Sequence, residues 1–358
     1  MADLEHEVLA RIERQRKLKP RWRDKHITMA HGAGGKATET LVTGLFEPAF
    51  ANPALTELAD SARLDIDGAA LAFSTDGYVV KPLRFPGGSI GELAVNGTVN
   101  DLAVSGAKPI ALTAAFVLEE GLDADILRAE VEAMALAARR AGVSIVSGDT
   151  KVVERTKADG MYIVTSGIGI RDRRIQLSAA SIQPGDRVLC SGTIGDHGTA
   201  IMLARGELEL DADIRSDTAP LWEQVLALIE SVGPSLRVMR DPTRGGVATV
   251  LNEIAQAADL GVVLDESAVP VRPEVHGASE ILGIDVMTMA NEGKFLAFVA
   301  PDAAERALET LRGTPGGEDA ALIGEVADEP AGMVLVRTGF GGTRIMDMLI
   351  GDPLPRIC

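Results

Sequence analysis

The polar, turn-rich segment RDRRIQLSAASIQPGD at residues 171–186 divides the chain into two stretches that each mix strand-like and helix-like runs, so two α/β domains are dictated, with a boundary near residue 175. In the first stretch AALAFST (69–75), IALTAAFVL (110–118), VSIVSGD (143–149) and MYIVTSGIGI (161–170) have the length and apolar character of strands. Residues 91–105 and 123–141 between them carry helical spacing. The second stretch continues with DRVLCSG (186–192), VVL (262–264), KFLAFVA (294–300), LIGEV (322–326) and MVLVR (333–337), and with helices predicted near 197–205, 218–231, 245–258 and 302–312. At 358 residues and 46% hydrophobic content, the chain is long enough to bury a core in each half.

No apolar stretch is long enough to span a bilayer, and the first 25 residues lack the hydrophobic centre of a signal peptide, so no membrane partner and a cytoplasmic location are expected. The formal charge of −17 argues against nucleic acid, because neutralising phosphate needs clustered Lys and Arg. Residues 1–25 run against that balance, with eight Lys or Arg and five Asp or Glu. They read as a solvated amphipathic helix or as a docking arm for an acidic surface. The two cysteines, Cys190 and Cys358, give neither a disulfide framework nor metal-ligand spacing.

Glycine is abundant, at 38 residues, and the glycine-rich segments invite nucleotide readings. GAGGKAT (32–38) is not a P-loop: the required first glycine falls on Ala30, and Lys36 is followed by Ala37 instead of Ser or Thr. No GxGxxG follows a strand. What remains is a set of aspartates placed beside glycines or at the ends of apolar runs, namely Asp60, Asp76, Asp101, Asp149 and Asp241. Carboxylates hold a triphosphate only with a cation between them, and Mg²⁺ accepts a shared shell of carboxylate, water and phosphate oxygens. Each aspartate alone is explained by a turn or a helix cap; their joint occurrence points to the metal. GDHG (195–198) and TRGG (243–246) each precede a helical run, where free amides could meet an anion, although capping alone would explain both.

Two groups suit proton transfer. Lys151 in GDTKVV and Glu292 in MANEGKF lie beside apolar strands, where partial shielding moves a pKa toward neutrality; each could equally be half of an ordinary ion pair. The chain closes on PLPRIC, in which Pro353 and Pro355 deny the segment a helix. A terminal thiol contributes little to packing, so Cys358 is expected at a mobile end that a cleft or a second protein could reach, a frayed terminus being the plain alternative.

HGAGG (31–35), the run from STDG to SGAKP (75–109), SGDTKVV (147–153), GDHG, RDPTRGGVATVLNEIA (240–255), ANEGK (290–294) and the terminal PRIC closely resemble the HypE family of [NiFe]-hydrogenase maturation proteins. The match covers about residues 27–358; the charged extension 1–26 does not align, and Gly77 stands where Ser is commoner. This resemblance implies a two-domain PurM-like fold, of the aminoimidazole ribonucleotide synthetase and selenophosphate synthetase superfamily. The domains would be 27–174 and 175–345, followed by a mobile tail at 346–358, with the amino-terminal sheets of two subunits meeting in a homodimer.

The resemblance also implies ATP and Mg²⁺. Asp60, Asp101 and Asp241 match the positions expected to hold the metal, and Asp76, Asn100, Asp149 and Thr150 those framing the nucleotide. His31, Gly32, Gly34 and Gly35 look like a loop that closes over phosphate, with Arg244, Gly245 and Gly246 also matching nucleotide contacts. Cys358 would carry a carbamoyl group, and dehydration of that thiocarbamate to a thiocyanate would supply cyanide to an iron centre. Glu292 is the first choice as base, with Lys151 orienting it, a division that burial could reverse. A carbamoyltransferase maturation factor of HypF type is implied as donor and an iron-carrying HypC–HypD-type complex as acceptor. The rival readings are an ATP enzyme acting on a small molecule and a thiol carrier without catalysis.

Overall fold

A computed structural model describes residues 22–55, 58–206, 213–351 and 356–358. The charged extension therefore lies mostly outside the described residues. After a single 3-10 turn at Met29–Gly32, helix α1 (Lys36–Leu41) leads toward β1 (Ala62–Ile66) and β2 (Ala69–Tyr78). Asp67 and Gly68, at φ 50° and 81°, make the two-residue turn of this hairpin, whose twist requires positive φ at both central positions. A small ribbon of β3 (Arg84–Phe85) and β4 (Gly88–Ser89) opens α2 (Ile90–Val104), capped by the Ser89 hydroxyl, which accepts from the Glu92 N–H. Then follow β5 (Ala107–Glu119), α3 (Ala124–Arg140), β6 (Ser144–Val153) and β7 (Met161–Arg171). The five strands form one sheet in the order β1-β2-β7-β5-β6, with only β5 and β6 parallel.

Helices α2 and α3 cover one face of this sheet, burying Ile90, Leu93, Val99, Met134 and Ala137 against Tyr78, Leu112, Met161 and Ile163. Its opposite face is bare in the single chain. Phe73 and Ile168, paired in register, are exposed there with Val164 and Ile170, and β6 is exposed along nearly its whole length.

The second domain runs β8 (Arg187–Cys190), α4 (Asp196–Ala204), α5 (Trp222–Val232), β9 (Leu236–Arg240), α6 (Gly246–Ala258), β10 (Gly261–Asp265) and α7 (Pro273–Leu282). It continues with β11 (Leu296–Val299), α8 (Ala304–Arg312), β12 (Ala321–Ala327), β13 (Val334–Arg337) and β14 (Thr343–Met346). Seven strands make its sheet, in the order β14-β13-β10-β12-β8-β11-β9. Both faces are covered, and alternation along each strand divides the side chains between them. Val188, Leu296 and Phe298 point into the core under α6, while Leu189, Ala297 and Val299 point into the core under α5 and α8.

The segment expected to be a polar boundary is pinned: Ile175 and Leu177 are buried in the α5 and α8 core beside Ala103 and Val104 of α2. Seven elements have no counterpart among those expected from the sequence, namely α1, β1, β3, β4, β9, β14 and α7. Among the described residues no helix is long and apolar enough to cross a membrane.

Candidate functional site

The two domains meet over a group of buried and half-buried carboxylates. Asp60 precedes β1, Asp76 lies near the end of β2, Asp101 projects from α2 and Asp241 follows β9, so strand ends from both sheets and one helix converge. Asp60 pairs with Arg240 Nε at 2.6 Å, and the same guanidinium reaches Glu253 at 2.9 Å. The Ser74 hydroxyl donates to Asp101. The Tyr78 hydroxyl donates to Asp76 at 3.3 Å, and Arg244 stands 3.8 Å from the same carboxylate.

Burial displaces these groups in the same direction. Asp60 is pushed up to about 6 by burial, against the pull of Arg240. Burial also raises Asp76, and it raises Asp101 and Asp241 well above the usual carboxylate range, with neighbouring aspartates adding to both. So much negative charge packed away from water calls for a cation.

Glu292, almost fully buried, borders this group. Asn100 donates to its backbone carbonyl at 3.0 Å, and its backbone N–H donates to Asp217 at 3.0 Å. Burial, then Asp76, Asp217 and Asp241, raises its carboxyl well above the usual value, while Arg244 pulls the other way. The Cys358 thiol lies within electrostatic reach of this carboxyl. Burial pushes that thiol up, although Arg244 faces it and opposes the shift.

The end of the tail is seated against its own subunit. Val79 N–H donates to the Cys358 carbonyl at 3.1 Å, and Lys81 N–H to the Arg356 carbonyl at 3.4 Å. Arg205 also donates to the Arg356 carbonyl, at 2.6 Å, and His197 Nε2 lies 2.8 Å from the Ile357 carbonyl. Arg356 reaches Asp159, which Lys81 also binds at 2.6 Å. Ile357 and Cys358 join the core formed by Tyr78, Val80, Phe85 and Met289. Beside the thiol lies a cavity of about 130 Å³, lined by Gly32, Val79, Arg244, Thr288 and Ala290.

The AIR synthase related protein family matches this chain in two parts, its N-terminal domain over residues 58–171 and its C-terminal domain over 183–337. The chain is 50% identical over 332 residues to carbamoyl dehydratase HypE of Bradyrhizobium diazoefficiens, a match covering 93% of this chain and 96% of that protein. The chain belongs to the HypE family of carbamoyl dehydratases. Among solved structures, a HypE–HypF complex has a TM-score of 0.82 at 47% identity, covering 86% of this chain and 99% of that one. HypE in complex with ATP has a TM-score of 0.78 at 47% identity, covering 93% and 100%. The PurM-like, AIR synthase-type fold follows from the same matches.

Within this HypE fold the residues singled out from sequence divide into those that meet and those that do not. Gly34 and Gly35 are where the expected phosphate loop packs onto other parts of the site. Gly34 has φ +76°, and a Cβ there would lie 2.4 Å from the Arg244 carbonyl oxygen; at Gly35 it would lie 2.1 Å from that of Leu349. The HGAGG and TRGG loops are thus stacked at the cleft, with Arg244 donating to the Gly32 carbonyl at 3.2 Å and Gly245 and Gly246 opening α6.

Other positions depart from expectation. His31 is taken up by its own loop, with Nε2 3.1 Å from Asp24 and Nδ1 against Thr28, so it does not face a phosphate here. Asn100 spends its amide on the Ala219 and Glu292 carbonyls and accepts from the Leu221 N–H, which makes it a clamp between domains instead of a nucleotide contact. Asp149, Thr150 and Lys151 lie on the exposed edge strand β6. Lys151 binds Asp149 at 2.6 Å and does not orient Glu292 within this chain. At the GDHG turn the Gly198 N–H donates to the Ala290 carbonyl, and His197 lies under the tail. The tail, read as mobile, is held at residues 356–358 by backbone bonds that sequence periodicity does not reveal.

Asp217, Ser216, Arg205, Asp159 and Tyr78 were missed. Their only sequence signal was a polar residue near a turn, which most surface loops share.

Proposed function

We propose that this chain dehydrates an S-carbamoyl group on Cys358 to a thiocyanate at the expense of ATP, in the cleft between its two domains. The observation that carries this reading is the seat of Cys358, held by Val79 and His197 and sharing a cavity with Arg244, beside Glu292 and the aspartates. In the overall change the carbamoyl oxygen leaves as phosphate. It first takes the γ-phosphoryl of ATP, giving ADP and an S–C(OPO₃)=NH unit; loss of phosphate then leaves S–C≡N. Both protons leave the nitrogen. Glu292 is suited to take one, since burial and the neighbouring aspartates raise the affinity of its carboxyl for a proton. Arg244 would face the developing negative charge.

The aspartates fit Mg²⁺ by the chemistry of the set: hard oxygen donors, buried, each pushed toward protonation by its surroundings. When bound, the metal would offset charge on the transferring phosphoryl. Among the described residues no three metal-binding side chains form a ready-made site, so Asp60, Asp101 and Asp241 would share the ion with water and triphosphate oxygens.

A second copy of this chain is the proposed partner for the bare sheet face, where Phe73, Val164, Ile168 and Ile170 would be covered. Such a dimer would also offer a use for Asp149, Thr150 and Lys151, placed on the neighbouring edge strand. A HypF-type carbamoyltransferase is proposed as donor, supported by the HypE–HypF complex among the solved relatives, and an iron-carrying HypC–HypD-type complex as acceptor. The proposed setting is the cytoplasm.

The test is the intact mass of S-carbamoylated protein incubated with ATP and Mg²⁺. One water is lost from the wild-type chain and none from Cys358→Ala; persistence of the loss in that variant would overturn the reading. Glu292→Gln is expected to retain ATP binding and lose dehydration.

A further inference from the structure

We propose that His197 is a positioning residue that fixes the Cys358 thiol against Glu292. The imidazole is fully buried at the first turn of α4. Its Nε2 lies 2.8 Å from the carbonyl of Ile357, the peptide group that carries Cys358. A carbonyl oxygen only accepts, so Nε2 holds the hydrogen and Nδ1 is left as an acceptor. Ser216 supplies the matching donor at 2.8 Å, and its Oγ in turn accepts from the Thr218 N–H at 3.2 Å. The ring therefore has one tautomer and one orientation, held edge-on against Phe85 at 5.6 Å.

One loop serves both reacting groups. Ser216 fixes His197, and so the peptide before the thiol, while the next residue, Asp217, accepts from the backbone N–H of Glu292 at 3.0 Å. Ser216 is itself anchored, its N–H donating to the Pro86 carbonyl at 2.8 Å. The distance between sulfur and carboxyl is thus referred to a single stretch of backbone. Independent holds remain in Val79, which binds the Cys358 carbonyl, and in Arg205 and Asp159, which bind Arg356. Removing the imidazole leaves the tail docked and releases the Ile357 side of the last peptide group, so that Cys358 is held from Val79 alone, which is a loss of orientation, not of binding. Misplacement by about 1 Å costs on the order of 100-fold in rate.

This inference rests on Cys358 carrying the reacting group, and the test separates the two. Single-turnover dehydration of S-carbamoylated protein is measured for wild type, His197→Ala, His197→Gln, Ser216→Ala and Cys358→Ala, alongside the rate at which iodoacetamide labels the unmodified Cys358, read by mass spectrometry of the terminal peptide. His197→Ala is expected to slow dehydration by roughly 10- to 100-fold, with the KM for ATP within about twofold and the labelling of Cys358 faster. Gln, whose amide N–H can reach the same carbonyl, is expected to recover most of the rate. Ser216→Ala keeps the ring and frees its tautomer, so a loss of about 3- to 10-fold is expected there. Dehydration surviving in Cys358→Ala would sink the assignment of the thiol. Wild-type rates and labelling in His197→Ala would sink the positioning role alone. If that variant does not fold, wild-type behaviour of Ser216→Ala overturns it.

Discussion

The two sheets bury their strands differently. In the seven-stranded sheet β11 is buried at every position, its side chains alternating between two cores, whereas the five-stranded sheet is covered by α2 and α3 on one face and bare on the other. Exposed Phe73, Val164, Ile168 and Ile170 form an apolar surface that costs solubility unless something covers it. The second sheet stabilises the chain as it stands. The first leaves one face uncovered in the single chain, and the site residues that do not reach the cleft, Asp149, Thr150 and Lys151, sit on that same sheet.

The sharpest way to break this contrast is to truncate one aromatic in each sheet. Phe298→Ala, in the core under α6, is expected to cost about 3–5 kcal/mol in denaturant unfolding, since it removes a fully buried ring and leaves a cavity. Phe73→Glu is expected to leave the unfolding of the single chain nearly unchanged while shifting micromolar protein from dimer toward monomer in sedimentation velocity. Equal destabilisation by both, with no change in association, would dissolve the distinction.

A smaller effect separates the cleft from both sheets. Asp60 is held at about 6 in the fold against an ordinary 3.8, so over that window the folded chain binds a proton that the unfolded chain has released. Its contribution to stability is therefore present at low pH and lost as pH rises from about 4 through about 6. Asp76, Asp101 and Asp241 are displaced in the same direction. Thermal midpoints measured across this range are expected to fall with rising pH, less steeply in Asp60→Asn, and Mg²⁺ with ATP at pH 7.5 is expected to restore part of the loss. The smallest stability effect belongs to Lys151→Ala. Its exposed pair with Asp149 predicts an unchanged thermal midpoint, while a second copy placing it at the cleft predicts slower dehydration. Wild-type turnover in that variant would leave β6 without a catalytic share.

The sequence was most legible in the interior strands of the two sheets. β8, β11 and the central β5 and β7 are dense apolar runs and were read directly. In the two large sheets the unread strands β1, β9 and β14 are all edges, and their sequences ARLDI, LRVMR and TRIM mix charge with apolar residues because one side of an edge strand meets solvent or the cleft. At the site, the aspartates were found because glycine and carboxylate recur at the ends of apolar runs. Arg240 and Asp217 were not found, since a lone charge beside a strand looks the same whether it faces water or a buried carboxylate.

By itself, the sequence determined two α/β units, the absence of a P-loop, the five aspartates and the terminal thiol, all properties of residue type and local spacing. Tertiary structure decided which of these meet: Asp76, Asp101, Asp241 and Glu292 share a buried cleft with Cys358, while Asp149 and Lys151 are turned to solvent. It also seated the tail through His197, Val79 and Arg205, partners that lie from 151 to 279 positions away along the chain. Local pattern encodes periodicity and turns. Long-range contacts arise only when the two sheets close on each other and desolvate the groups between them.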